Sequence, residues 1–450
     1  MTAYITNIEA AFKEDTAEPW SLNVTGEGIL PSWFAVSDFA AATVGAAGIA
    51  LSRYAANGGM AAPVTVDRRL ASLWFGMTIH PEGWEMPPVW DAVAGDYQAK
   101  DGWIRLHTNA DHHRAVALSV LGTAEDRDEV TAAVANWEVG KLEAAIVAAG
   151  GCAATMRSLD AWADHPQGGA VAQEPLVAWA EHDSAEPKSE PIDPARPLAG
   201  LRVLDLTRVL AGPVATRFLA AFGADVLRID PLNYDEANVA PEVTLGKRCA
   251  ELNLRDADDR KIFEGLLSSA DVLVHGYRAG ALPGLAYGPE ERRALNPGLV
   301  DVSHNAYGWT GPWADWRGFD SLVQMSSGIA QHGMAQAGAE KPVPLPVQAL
   351  DHGTGYLIAA SVLHALAARR QGRVMSARLS LARTARLLTK EQTSPTEDPI
   401  QEGADDIASD VENTTWGPAR RTGFPLMVGA IVPRWDYPAT ALGSAVPAWT

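Results

Sequence analysis

The sequence predicts an α/β protein: a large domain on a Rossmann-like parallel sheet, joined to a smaller α+β domain. Three stretches carry that prediction. Leu201-Arg-Val-Leu-Asp-Leu-Thr reads as a short apolar strand, 214–222 as a helix ended by Gly223, and Ala224-Asp-Val-Leu-Arg-Ile-Asp as the next strand. Together they make a βαβ unit of about thirty residues. Ala270-Asp-Val-Leu-Val-His, after a helical pattern over 256–268, and Leu299-Val-Asp-Val-Ser-His continue the alternation. Strands that alternate with helices imply parallel pairing, with ligand sites beyond the carboxyl ends of the strands. Residues 95–108 instead give two alternating strands around an Asp101-Gly102 turn. Helical patterns follow over 111–121, 125–137 and 138–149, which makes a small α+β unit of roughly 90–180.

Taken in order, the chain opens with a segment that is acidic early and lacks the basic-then-apolar pattern of a secretory leader. The Ala/Gly-rich stretch 37–51 reads as a helix whose small side chains permit close packing, buried or at a subunit contact. Its apolar run, 39–51, is too short and too rich in Ala and Gly to span a bilayer. His107, His112 and His113 lie close together, but no helical carboxylate-and-histidine zinc pattern accompanies them. They are read as surface or capping residues, with no metal site. Residues 181–197, charged and proline-studded, form a linker between 1–180 and 198–385. The last part, 386–450, holds an acidic connection over 390–412, expected to be mobile, and a closing C-terminal segment.

Composition narrows the function. With 450 residues, 47% hydrophobic and 20% charged, the chain has the make-up of a globular protein of two or three domains. A net charge of −19 argues against a general nucleic-acid or anionic-membrane binder, yet leaves room for a small basic pocket. Cys152 and Cys249 alone cannot build a disulfide framework or a cysteine metal cluster. The expectation is a cytoplasmic protein with no nucleic-acid or membrane partner. The first βα turn, Asp205-Leu-Thr-Arg-Val-Leu-Ala-Gly-Pro, has the single Gly212 in place of a Gly-x-Gly-x-x-Gly phosphate cradle, which disfavours an NAD enzyme.

The chemistry centres on Gln348-Ala-Leu-Asp-His-Gly-Thr-Gly, which follows the loop Pro342-Val-Pro-Leu-Pro. Behind Asp351, Ile358, Val362, Ala365 and Leu366 share one face of an almost uncharged helix, and Gly353 and Gly355 keep its first turn open. Asp351 fits two roles: a helix-capping carboxylate, or a nucleophile or base facing a cavity. Local sequence admits both.

Eight ordered segments add a resemblance. They are Leu198-Ala-Gly-Leu-Arg-Val-Leu-Asp-Leu-Thr-Arg-Val-Leu-Ala-Gly-Pro, Phe222-Gly-Ala-Asp-Val-Leu-Arg-Ile-Asp, Gly246-Lys-Arg-Cys-Ala-Glu-Leu-Asn-Leu, Ala270-Asp-Val-Leu-Val-His-Gly-Tyr-Arg-Ala-Gly, Leu295-Asn-Pro-Gly-Leu-Val, Tyr307-Gly-Trp-Thr-Gly-Pro-Trp-Ala, Gly318-Phe-Asp and Asp351-His-Gly-Thr-Gly. Over 198–385 they resemble the family III coenzyme A transferases, a group that includes formyl-CoA and carnitine CoA transferases and has α-methylacyl-CoA racemase as a relative. Asp101-Gly-Trp-Ile-Arg-Leu and Met156-Arg-Ser-Leu-Asp-Ala-Trp-Ala-Asp-His-Pro resemble that family's small domain, here placed ahead of the Rossmann part, as if the unit were rearranged. Asp38 looks like a worn copy of Asp351 without the Gly-Thr-Gly, and is read as structural.

The resemblance implies that Asp351 is the nucleophile, carrying CoA as an aspartyl thioester between an acyl-CoA donor and a carboxylic acid acceptor. It implies CoA contacts at Leu210, Ala211, Leu252, Asn253, Leu254, Arg255, Gly276, Tyr277, Arg278, Phe319 and Asp320, with Lys247 and Arg248 nearby. CoA is then a substrate, no cofactor is tightly bound, and the family's habit is a homodimer. A buried, Gly-flanked loop facing a helix end could stabilise the oxyanion through backbone N–H groups. Trp309, Trp313, Trp316 and Phe319 would line a pocket for an apolar acyl group.

Departures sharpen this. Leu210 replaces a glutamine of formyl-CoA transferase, Pro231 replaces a CoA-contacting arginine, and Gly58-Gly59 is a weak substitute for a glycine-run loop. Phe319 stands where the racemase has its histidine, and phenylalanine cannot move a proton. Racemase-type proton exchange, with His304 or His352 compensating, and a non-catalytic CoA-binding protein remain the alternative readings.

Overall fold

Short runs of Val, Leu and Ile become the strands of one seven-stranded sheet in the computed structural model, which describes every residue except 13–19, 58, 184–190 and 397. Much of the expected linker, and Gly58, therefore lie outside the described residues. The strands are β1 (Ala178–His182), β2 (Arg202–Leu206), β3 (Asp225–Asp230), β4 (Lys247–Glu251), β5 (Val272–His275), β6 (Val300–Asn305) and β7 (Val374–Ser380). They lie in the order β4-β3-β2-β5-β6-β7-β1, parallel except for β1, which pairs antiparallel with β7. The boundary drawn between 180 and 181 thus falls inside an edge strand of the main sheet. β4 reads poorly as a strand because Lys247, Arg248 and Glu251 charge it; Lys247 is in fact buried against Asp205, at 3.0 Å.

One face of the sheet is covered by the helix Ala349–Arg370, which packs against β6 and β7 and between the helices Ala211–Ala221 and Val36–Ala56. Small residues make that possible. A Cβ at Gly353 would overlap the ring of Phe39, and one at Gly355 would overlap the carbonyl of Ala211 and the side chain of Val214. The helix Val36–Ala56 runs 21 residues, longer than its apolar core suggests, and is long and apolar enough to cross a membrane. Protein covers it instead: its buried face lies against the Asp351 helix.

These two helices open two copies of one motif. Ala35 (φ −74°, ψ 59°) and Gln348 (φ −75°, ψ 64°) share a backbone conformation, and Asp38 and Asp351 each stand third in their helix. A strand and a short helix follow in both copies, the second helix capped by Asp67, which accepts from Leu70 N, or by Ser380, which accepts from Arg383 N. Each cap lies twenty-nine residues after its aspartate.

The predicted α+β unit forms with its two expected strands, Gly95–Gln98 and Trp103–Leu106, and helices Asp111–Leu121, Arg127–Val134 and Val139–Ala148, and gains an unforeseen third antiparallel strand, Ala153–Thr155. Ile104, Leu106, Val130, Leu142 and Ile146 give it a core of its own. The C-terminal part is not a separate closing piece. Gly417–Arg421 pairs with Ile79–Pro81, and Leu426–Val428 with Val64–Asp67, so the two ends of the chain interleave. The acidic connection is pinned where it was expected to be mobile: both oxygens of Asp406 accept from Arg69 at 2.8 Å.

His107 and His113 are buried, contrary to the surface reading; only His112 of the three is exposed. Phe319 explains it, its ring stacked on His107 with centroids 3.7 Å apart where the α+β unit meets the main sheet's side of the molecule. Among the described residues no group of three His, Cys, Asp or Glu is placed to hold a metal. Burial lowers the pKa of His107 and His352 to about 3, and of His113, His304 and His364 to about 4. An unfolded chain takes these protons near pH 6.5, the folded one only near pH 3–4. Stability is therefore complete above about pH 6.5 and falls on acidification. The melting temperature is expected to drop steadily between pH 7 and pH 5 in differential scanning fluorimetry; a flat profile would contradict the neutral, buried histidines.

Candidate active site

Asp351 does not cap its helix. Gln348 occupies the cap position without a side-chain bond, and the first free N–H groups go to another residue. Asp320 Oδ2 accepts from Leu350 N at 2.8 Å and from Asp351 N at 2.9 Å. Gln324 donates to Asp320 Oδ1 at 2.5 Å and accepts from Leu345 N at 2.7 Å, which ties the preceding loop to the same carboxylate. The Asp351 carboxylate itself has no hydrogen-bond or ion-pair partner among the described residues, although the residue is only 8% exposed.

Burial first, and the charge of Asp320 second, push the Asp351 pKa well above the usual carboxylate range. Burial raises Asp320 as well, opposed by its three hydrogen bonds. The pair shares its protons, and the first of them goes to Asp351: among the described residues Asp320 has three donors holding its charge and the Asp351 carboxylate has none. Once ionised, Asp351 is a carboxylate with uncommitted electron pairs and little solvent, which suits nucleophilic attack. The N–H groups of Leu350 and Asp351 are taken by Asp320, and that of His352 by Gln348 O. The first turn therefore does not supply the oxyanion donors expected of it.

Asp320→Asn is expected to keep an acceptor for those two N–H groups while removing the charge. The Asp351 carboxyl, followed by carbon NMR, should then titrate at lower pH. An unmoved titration would show that the two carboxylates do not couple.

The copy at Asp38 differs. Its Oδ1 accepts from Arg68 Nε at 2.8 Å, whereas Leu381 occupies the position equivalent to Arg68 behind Asp351. One copy is neutralised and the other left free.

The residues implied for CoA divide. Leu210, Ala211, Gly276, Tyr277 and Arg278 come together at the ends of β2 and β5, which are neighbours. Leu210 and Ala211 are buried in the turn, Tyr277 is half-buried, and Gly276 and Arg278 are exposed. Residues 252–255 follow β4, two strands further toward the edge. There Leu252 is core, Leu254 half-buried, and Asn253 and Arg255 exposed, with Asn253 Oδ1 accepting from Arg255 N at 3.2 Å.

Four residues have other work. Lys247 is paired with buried Asp205, and Arg248 with Asp225 at 2.8 Å, so neither is free for a phosphate. The Asp320 carboxylate is fully engaged at the Asp351 helix, and the Phe319 ring packs on His107. Of the tryptophans, Trp313 and Trp316 stack on each other 4.3 Å apart, with Trp313 in the core, while Trp309 lines a small cavity beside His275.

Sequence reading missed the support of the first turn. Val209 is left-handed at φ 64°, a strained conformation for a β-branched residue, and its N–H donates to Glu236 Oε2 at 2.9 Å. Arg208 lies between the rings of Tyr234 and Tyr277, 4.3 and 4.8 Å from their centroids, and donates to Tyr277 Oη at 2.7 Å. Arg208 was visible in the turn, but Tyr234 and Glu236 lie in a loop with no periodicity to flag them.

Racemase-type proton exchange finds little support here. Phe319 carries no proton, and His304 and His352 are buried and neutral; His352 stacks on Phe75 at 5.2 Å.

Residues 198–417 match the family model of CoA-transferase family III. The chain is 35% identical over 201 residues to the acetyl-coenzyme A transferase nodX of Hypoxylon pulicicidum, covering 44% of this chain and 33% of that protein. It is 36% identical over 154 residues to the acetyl-CoA:oxalate CoA-transferase of Acetobacter aceti, covering 32% and 40% respectively. The crystal structure of Rv3272 from M. tuberculosis aligns at 28% identity and a TM-score of 0.38, over 42% of this chain and 57% of that one. The chain spans about a third to a half of the length of the curated relatives it matches.

Proposed function

Because residues 198–417 match the family model of CoA-transferase family III, we propose that this chain moves CoA from an acyl-CoA donor to a carboxylic acid acceptor, with Asp351 as the nucleophile. The observation that carries the reading is the Asp351 carboxylate: buried, without a partner among the described residues, and held on a helix turn that Asp320 fixes from below.

An Asp351 oxygen attacks the thioester carbonyl of the donor. The C–S bond breaks, the CoA thiolate leaves, and an aspartyl–acyl anhydride remains. The thiolate then attacks the aspartyl carbonyl and expels the donor acid as its carboxylate, leaving an aspartyl-CoA thioester. The acceptor carboxylate attacks that thioester, releasing thiolate and forming a new anhydride. Attack of the thiolate on the acceptor's carbonyl gives the new acyl-CoA and restores Asp351. Dividing one acyl exchange into these steps is the benefit of covalent catalysis. Burial serves a second purpose, since water would hydrolyse the anhydride and the thioester alike.

Hydroxylamine tests the reading. It captures an aspartyl thioester as a hydroxamate, so inactivation is expected only when an acyl-CoA is present. Inactivation without donor, or full resistance during turnover, would sink the covalent route. Deuterium exchange at the α-carbon without capture would favour the racemase reading. CoA binding with neither signal would favour a non-catalytic protein.

A further inference from the structure

We propose that His275, Arg278, Ser303 and Arg378 form a binding site for a phosphoryl group, either free phosphate or a phosphomonoester. His275, Ser303 and Arg378 stand opposite one another on β5, β6 and β7, so their side chains leave the sheet on one face. With Tyr277, Arg278 and Trp309 they line a cavity of about 60 Å³.

The lining is cationic and unsatisfied. Arg278 and Arg378 are exposed, and among the described residues neither has a carboxylate within salt-bridge distance. Asp301, which precedes this row on β6, is engaged by Arg292 at 2.9 and 2.6 Å and adds no free charge. The Arg378 guanidinium carbon lies 5.0 Å from the Trp309 ring centroid, and Trp309 Nε1 donates to Leu379 O at 2.9 Å, so the stacking surface is fixed. His275 is 8% exposed, and its Nε2 sits 3.4 Å from Arg292 Nη2 and 3.5 Å from Asp301 Oδ1. With Nε2 accepting from Arg292, the ring proton sits on Nδ1, which has no hydrogen-bond partner among the described residues.

A buried ring nitrogen without a partner, in a cavity with two unpaired guanidiniums and a hydroxyl, calls for a ligand rich in acceptor oxygens. Guanidinium forks bind phosphate oxygens two at a time, which favours a phosphoryl group over a lone halide. Of these residues only Arg278 was implied for CoA by the sequence. The group can be free phosphate or the phosphomonoester of CoA; the second source rests on the proposed transferase reading, and the site itself does not.

Isothermal titration of the full chain with inorganic phosphate, CoA and 3′-dephospho-CoA tests this, on the wild type, Arg378→Met and Ser303→Ala. Methionine keeps an aliphatic stem over Trp309, and matched melting curves check that both variants fold. A tenfold or greater preference for CoA over its dephospho form, lost in Arg378→Met, assigns the site to the CoA phosphomonoester. Phosphate binding that Arg378→Met abolishes, without such a preference, assigns it to a free anion. If phosphate binds in this way while CoA does not bind at all, the site stands and the transferase reading falls. Equal binding of every phosphoryl ligand by wild type and Arg378→Met, or no binding of any of them, overturns the proposal.

Discussion

Asp351→Asn is expected to melt higher than the wild type while losing turnover. Loss of a covalent nucleophile lowers kcat by about 10⁴-fold or more. The stability gain comes from removing a carboxylate that is desolvated and unpaired in the folded state. Its folded pKa is raised, so the protonated form is the one the fold tolerates, and the penalty grows as pH rises through that pKa. The variant should gain roughly 1–3 kcal/mol at pH 8 and much less at pH 5. Melting temperatures of both proteins at the two pH values check it. A variant that melts lower at both would mean that Asp351 is a paired structural residue.

Glu242→Ala should act in the opposite sense, destabilising by about 3–5 kcal/mol. Glu242 is fully buried between Arg217 and Arg421, 2.9 Å from the latter, and accepts from Thr78 N at 3.0 Å and Thr78 Oγ1 at 2.8 Å. Three distant parts of the chain meet at this one carboxylate, and its removal leaves the buried Arg217 guanidinium without a carboxylate and Arg421 with Glu412 alone. Burial works against its charge, yet the two arginines and the hydrogen bond from Thr78 hold its pKa down at about 2. The contribution is thus complete above the ordinary glutamate pKa and is lost as pH falls toward 2. Urea unfolding at pH 7 measures it, and an unchanged midpoint would show that the cluster adds nothing.

The contrast between these two carboxylates explains what sequence could show. The strands at 202–206, 225–230, 272–275 and 300–305 were legible because each is a short apolar run bounded by turn residues and set against helical periodicity. β1 and β4 were not, since charge and a neighbouring linker disguise them. Asp351 stood out through its glycines and its loop, whereas its free carboxylate depends on Asp320, thirty-one residues away, taking the helix N–H groups. Nothing local to Glu242 announces Arg421, 179 residues on. The same holds for the histidines: His107 reads as polar surface until Phe319 is laid over it. Periodicity reports what a residue does within its own element, and the site is made by contacts between elements.

The most direct measurement is mass spectrometry of the intact full chain, quenched in acid after incubation with a panel of acyl-CoAs and no acceptor. The account predicts a covalent CoA adduct that maps to the peptide containing Asp351, is absent from Asp351→Asn, and disappears when a carboxylic acid acceptor is added. No adduct from an acyl-CoA that the chain does turn over once an acceptor is supplied, or an adduct that persists in Asp351→Asn, would contradict it.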